Sequence, residues 1–158
     1  MILQLNNIYR AQRQQLKAAQ EEGQLIPSFN LLLTDGVTKI TTGTIPPGNP
    51  IVLVLFSPEC PYCRAEIDSI VGQIRKLADI RFYFVTPCPI SEVQEFSRQH
   101  HLDKHPNIIV GMDYDNFLLR FSGTKVIPYT AVYDGNRRLK DAIFGQTNDR
   151  KIKEIAYR

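Results

Sequence analysis

The chain has no tryptophan, only two methionines and only three cysteines. Three cysteines cannot staple a disulfide-scaffold domain, which needs paired sets at regular spacings. No stretch approaches the ~20 apolar residues of a membrane-spanning helix. Residues 1–20 also lack the apolar core of a secretory leader, so an extracytoplasmic protein of this sequence needs a leader or anchor lying outside it. Charge is not concentrated. The 19 Lys and Arg exceed the 16 Asp and Glu by a net +3, but they are scattered, which excludes the basic stripe of a nucleic-acid-binding surface. Internal repeats and low-complexity tracts are absent. What remains is 158 residues with 43% hydrophobic content, enough to bury one good-sized core in one domain.

Against that background the most informative stretch is Cys60-Pro61-Tyr62-Cys63. It follows the apolar run Ile51-Val52-Leu53-Val54-Leu55-Phe56 and precedes a helical pattern. Pro61 suits a helix first turn, where its missing N–H is no loss. Ile67, Ile70, Val71, Ile74 and Leu77 keep an i, i+3, i+4, i+7 rhythm and predict a helix over 61–77. Two cysteines at this spacing, fed by a strand into a helix start, lie where backbone N–H groups and the helix dipole favour a thiolate. Cys60 is therefore expected to be the nucleophile, with a pKa lowered from ~8.5. Cys63, one turn in, is expected to stay protonated and to resolve a mixed disulfide. Half of a zinc site is the competing reading, but a second closely spaced ligand pair is missing.

Other elements follow from patterning. Residues 2–22 read as a polar helix with a thin apolar stripe of Leu5, Ile8, Tyr9 and Leu16, stopping at Gly23. Phe29–Leu33 and Val37–Thr41 read as a hairpin turning at Asp35-Gly36. Residues 45–50, with three prolines and a glycine, read as a loop. Ile80–Val85 reads as a second buried strand. Ser91 and Gln94 read as a capping box for a helix reaching about His100. Asn107–Val110 reads as a short strand and Asp115–Phe121 as a helical turn. Tyr129–Tyr133 and Leu139–Phe144 read as strands joined at Asp134-Gly135-Asn136. A last helix begins near Asn148 and buries Ile152, Ile155 and Ala156. The order predicts an α/β fold with one mixed sheet flanked by helices, the late hairpin lying antiparallel beside parallel strands.

Val126-Ile127-Pro128-Tyr129-Thr130 supplies a second chemical signal. Proline at the head of a strand cannot donate to a ladder. A cis Ile127–Pro128 bond would leave the Ile127 backbone free beside the cysteines. Cys88, in Thr86-Pro87-Cys88-Pro89, follows the second buried strand and so reaches the same sheet edge as Cys60. It reads as a third redox thiol or as a small buried hydrophobe. His100, His101 and His105 read as solvated loop residues.

The Cys-x-x-Cys after the first buried strand, the proline before a β-hairpin and the closing helix together resemble the thioredoxin superfamily, from about Phe29 to Arg158. More narrowly, the chain resembles the TlpA/ResA-like thiol–disulfide oxidoreductases, which adjoin the alkyl hydroperoxide reductase/thiol-specific antioxidant group. That likeness rests on the Ser28-Phe29-Asn30-Leu31 … Asp35-Gly36 hairpin, on the long interval between Cys63 and Pro128, and on Ile127 to Asp134. It implies a thioredoxin-like fold carrying an extra amino-terminal helix and hairpin, with residues 1–24 as an extension and 25–158 as the domain. It implies disulfide exchange with protein clients, most naturally as a reductase, using no cofactor beyond a Cys60–Cys63 disulfide and no metal. Pro61, Tyr62, Ile127 and Pro128 become client-binding residues. The expected setting is extracytoplasmic, with protein thiols and an upstream electron donor as partners, for a monomer that binds no nucleic acid.

Three departures qualify the likeness. Thioredoxins carry tryptophan before the first cysteine, where this chain has Glu59. They bury a carboxylate six residues before the nucleophile, where this chain has Val54. That leaves the proton-shuttle position vacant, with Glu59 as a candidate substitute. The Pro-Tyr dipeptide is that of glutaredoxins. Two alternatives remain: copper handling of the Sco-like type, through the two cysteines and a histidine, and a peroxiredoxin-like peroxidase. The first fails on cysteine spacing and the second on Leu53, where peroxiredoxins carry proline.

Overall fold

The computed structural model describes residues 1–10 and 21–158. The described residues 2–10 are helical (α1). The domain then runs β1 (Asn30–Leu33), β2 (Lys39–Thr41), β3 (Ile51–Leu55), α2 (Pro61–Gly72), β4 (Arg81–Thr86), α3 (Ile90–Gln99), β5 (Ile108–Met112), α4 (Phe117–Ser122), β6 (Tyr129–Tyr133), β7 (Leu139–Phe144) and α5 (Asp149–Ala156). One seven-stranded mixed sheet has the order β2-β1-β5-β4-β3-β6-β7. β3, β4 and β5 are parallel; β6 runs antiparallel to β3, and the β1–β2 hairpin joins the far edge antiparallel to β5.

β3 lies inside because both its faces are apolar, as a strand covered on both sides requires. Val52 and Val54 face a core built with α2, α3 and α5, through Ile67, Phe96 and Ile152. Ile51, Leu53 and Leu55 face a second core holding Phe29, Leu118 and Tyr129. The strand's carboxyl end therefore opens between two packed layers, and Cys60 follows there.

Several local expectations shift. The helix expected over 61–77 ends at Gly72, and Ile74–Leu77 continue as a 3-10 turn that still buries Leu77. Glycine is a poor helix former, and the tighter turn keeps the apolar side chain on the core. The Ser91–Gln94 capping box does not form. Pro89 takes the N-cap position, so Ser91 falls inside the helix. Gln94 instead donates to the Thr34 carbonyl at 2.9 Å, tying α3 to the β1–β2 turn. In that turn the Asp35 carboxylate accepts the Val37 and Thr38 N–H groups. In the β6–β7 turn the left-handed residue is Arg137, not Gly135. Gly135 serves a close approach: a Cβ there would sit 2.4 Å from the Gly48 carbonyl oxygen.

The apolar residues foreseen as a stripe on α1 do not reach either core. Leu5, Ile8 and Tyr9 are exposed, and Leu16 lies outside the described residues. At the other end of the chain, Asn148 caps α5 by accepting the Lys151 N–H at 3.0 Å. Asn148→Ala should cost about 1 kcal/mol of stability in urea unfolding, the usual loss for an N-cap.

Candidate active site at the start of α2

After β3, Phe56 continues the ladder by donating to the Val85 carbonyl, and the chain closes a turn in which the Cys60 N–H meets the Ser57 carbonyl at 3.1 Å. Arg64 reaches back from α2 to hold the Pro58 carbonyl at 2.8 Å. Cys60 is thereby fixed as the N-cap of α2, with Pro61 in the first turn. Its sulfur accepts the Cys63 N–H at 3.3 Å. This is the capping bond of a helix with sulfur as acceptor, and a negative sulfur suits it best.

The Ile127–Pro128 bond is cis, and the Ile127 carbonyl oxygen lies 4.0 Å from the Cys60 sulfur. Two segments remote in sequence thus meet at one partly exposed sulfur. Tyr62 stands 63% exposed beside it. Cys63 is fully buried in the α2 core, and Cys60, Cys63 and Cys88 are all unbridged. Burial pushes the Cys63 thiol up to about 12, helped by its hydrogen bond to the Cys60 sulfur and by the charges of Cys60 and Glu66.

Glu66 is the residue that sequence reasoning missed. It is fully buried, one turn after Cys63 on the same helix face. Its Oε2 accepts the Thr130 hydroxyl and its Oε1 the Thr147 N–H, both at 2.7 Å. Burial raises its carboxyl above the ordinary range, and the two hydrogen bonds pull the other way. The carboxylate lacking at Val54 therefore comes from the helix. Thr130, which holds it, sits opposite Val54 in the β3–β6 register. A signal was present. Stepping four residues back from Ile67 and Ile70 lands on Cys63 and Glu66, placing a charged residue on the buried stripe.

Glu59, the candidate substitute, points elsewhere. It is exposed and lines a cleft of about 280 Å³ with Pro58, Arg64, Ser91 and Glu92. Cys88 is partly buried just past β4, its N–H donating to the Thr86 hydroxyl at 3.3 Å. It shares the sheet edge with Cys60 without bonding to it. The histidines do not gather at the cysteines. His100 pairs with Asp68 at 2.9 Å and stacks on Phe96, and His105 lies against the carboxyl-terminal end of α2, remote from Cys60. Among the described residues, His, Cys, Asp and Glu form no cluster able to hold a metal.

The same architecture occurs in known proteins. Peroxidoxin BcpB of Mycobacterium tuberculosis superposes with a TM-score of 0.71 at 16% identity, over 86% of this chain and 96% of that one. A secreted M. tuberculosis disulfide oxidoreductase homologous to E. coli DsbE superposes at 0.66 and 19% identity, over 82% and 96%. The fold is thioredoxin-like. In sequence, the methylamine utilization protein MauD of Methylophilus methylotrophus is 22% identical over 120 residues, 74% of this chain. The match covers 53% of MauD, so the chain spans about half that relative's length. No family model matches the chain.

Proposed function

We propose that this protein is a thiol–disulfide oxidoreductase that reduces disulfides in protein clients outside the cytoplasm. The observation carrying this reading is the Cys60 sulfur. It caps α2, accepts the Cys63 N–H, lies 4.0 Å from the Ile127 carbonyl and is partly exposed. Likeness to the DsbE-homologous oxidoreductase adds support at the level of fold.

In the proposed cycle the Cys60 thiolate attacks one sulfur of a client disulfide. The client's other sulfur leaves as a thiolate, and a mixed disulfide forms. The client lies as an extended strand along the Ile127 backbone, the β-addition mode of recognition, with Pro61, Tyr62 and Pro128 forming the rim. Cys63 then loses its proton to Glu66 and attacks the Cys60 sulfur. The second client thiol leaves, the client has gained two electrons, and Cys60–Cys63 is a disulfide. An upstream dithiol donor returns the pair to its reduced form. Attack by Cys60 also prepares the second step. Once its sulfur is bonded to the client, the hydrogen bond and charge that raise Cys63 are lost, leaving burial and Glu66 as the main opposition.

Two measurements test this. The reduced protein should reduce insulin disulfides with turnover when coupled to a dithiol donor. Equilibration with glutathione should place the pair near the ~−270 mV of a reductant and away from the ~−120 mV of an oxidant. A potential near the oxidant value reverses the direction of electron flow. Peroxide consumption without insulin reduction would make the chain a peroxidase.

A further inference from the structure

We propose that the hollow between the end of α2 and the start of α5 is a binding site for a small phosphate-bearing anion. Three observations carry it.

The first is what converges there. A hollow of about 310 Å³ is lined by Gln73, Lys76, Leu77, Asp149, Arg150 and Lys153, which is the small end of ligand-sized pockets. Gln73 and Lys76 belong to the turn that follows α2. Arg150 and Lys153 lie three apart on α5 and so share one side of it. Cations from two helices can therefore approach one ligand from two sides.

The second is that these donors are unspent. Elsewhere the chain commits its cations to backbone: Arg64, Arg81, Arg120, Arg137, Arg138 and Lys140 all donate to carbonyl oxygens. Among the described residues, the ion pairs involve none of Lys76, Arg150 and Lys153. The acids nearby have other partners. Asp149, the one acid in the lining, accepts the Ser69 hydroxyl at 2.7 Å. Glu154 pairs with Lys151, and Asp79 lies beside Tyr157. The lining thus keeps three cations against one carboxylate.

The third is that the walls are fixed. The Ser69 hydroxyl also accepts the Asp149 N–H at 3.1 Å, and Asn148 caps α5. Just before them the Thr147 N–H is held by Glu66. Groups already in place lower the cost of binding, and the positive end of the α5 dipole adds to the side-chain charge.

Phosphate is the ligand chemistry that suits this arrangement. It places up to two charges and several oxygens on one compact centre, matching an arginine fork and two ammonium groups, whereas a carboxylate offers one charge in one plane. Lys76 also borders a neighbouring hollow of about 360 Å³ with Arg75, so a diphosphate or a phosphate ester has room beyond its first phosphate. A ligand seated here would tie α2 to α5, the two elements already joined by Ser69 and Asp149.

The test is calorimetric titration of the full chain with inorganic pyrophosphate and, separately, with glycerol 3-phosphate. One saturable site is expected, weakening as salt is raised. Tighter binding of pyrophosphate would point to an inorganic ligand, and tighter binding of glycerol 3-phosphate to an ester. Citrate should bind about tenfold more weakly than the better phosphate, or worse. Arg150→Gln with Lys153→Gln should weaken binding by about tenfold or more, and Lys76→Gln several-fold. Lys39→Gln, on the distant β2, should leave it unchanged. Circular dichroism should show all three variants folded. Absence of saturable binding to both phosphates would overturn the proposal, as would citrate binding equally well or binding that survives the Arg150 and Lys153 changes. The double variant Cys60→Ser with Cys63→Ser should bind like the wild type, because the site uses neither thiol.

Discussion

Cys63→Ser is expected to convert the protein into a trap, accumulating a covalent adduct with its client through Cys60. Cys60→Ser is expected to lose disulfide reduction down to background. The asymmetry follows from burial and bonding. Cys60 is partly exposed at the helix start, and the Cys63 N–H points at its sulfur. Cys63 is fully buried, so no client sulfur can line up with it until Cys60 has delivered one. With its thiol at about 12, only roughly one Cys63 in 10⁵ is ionised at pH 7. Alkylation of the reduced wild type near neutral pH should label Cys60 and leave Cys63 untouched. Mass spectrometry of alkylated protein and of the trapped adduct measures all three outcomes. Normal turnover by Cys63→Ser, or an adduct formed by Cys60→Ser, would exchange the roles of the two cysteines.

Glu66→Gln should slow resolution of the mixed disulfide by about 10²-fold or more, the usual scale for losing a positioned base. Formation of the mixed disulfide should change little. Glutamine can keep both tethers, its carbonyl accepting from Thr147 while its amide donates to a rotated Thr130 hydroxyl, so geometry is preserved while proton transfer is lost. The wild-type resolution rate should rise with pH as Glu66 ionises, above the ordinary carboxylate range. The variant should lack that limb. Stability moves in the opposite sense. The folded-state pKa of Glu66 is raised above its unfolded value near 4.5. Its contribution is therefore full below the unfolded pKa and is lost as pH rises through the folded one. Urea unfolding between about pH 4 and pH 8 should show the wild type losing stability relative to Glu66→Gln across that window. Parallel pH curves, or an unaltered resolution rate, would remove Glu66 from proton transfer.

The parts legible in the sequence were those encoded locally. A continuous apolar strand, two cysteines at a helix start and a proline before a strand are each short-range patterns, and each lies where those patterns place it. Less visible was whatever depends on a distant partner. The β1–β2 hairpin was readable from Asp35-Gly36, but its seat on β5 comes from pairing Leu32 with Met112. Gln94 was readable as a cap, yet its amide serves the distant Thr34 carbonyl. Glu66 went unread because a glutamate in a helix is ordinarily a solvated residue. Only Thr130 and Thr147, remote in sequence, make its burial tolerable. The strand position usually filled by an acid drew attention to Val54, although the same volume could be supplied with a carboxylate from the opposing helix.

That carboxylate is also a joint. Its two oxygens fasten α2 to β6 and to the loop that enters α5, beside the Ser69–Asp149 hydrogen bonds that join α2 to the start of α5. In the proposed cycle Glu66 takes up and gives back a proton in every turnover, which would weaken and restore the same two fastenings each time, because a neutral carboxyl is the poorer acceptor. The seating of the last helix would thereby be geared to the sulfur chemistry. The last helix, on the same face of the sheet as α2, would then differ in its seating between the full and the spent dithiol, and a donor or client could sense that difference without touching either cysteine.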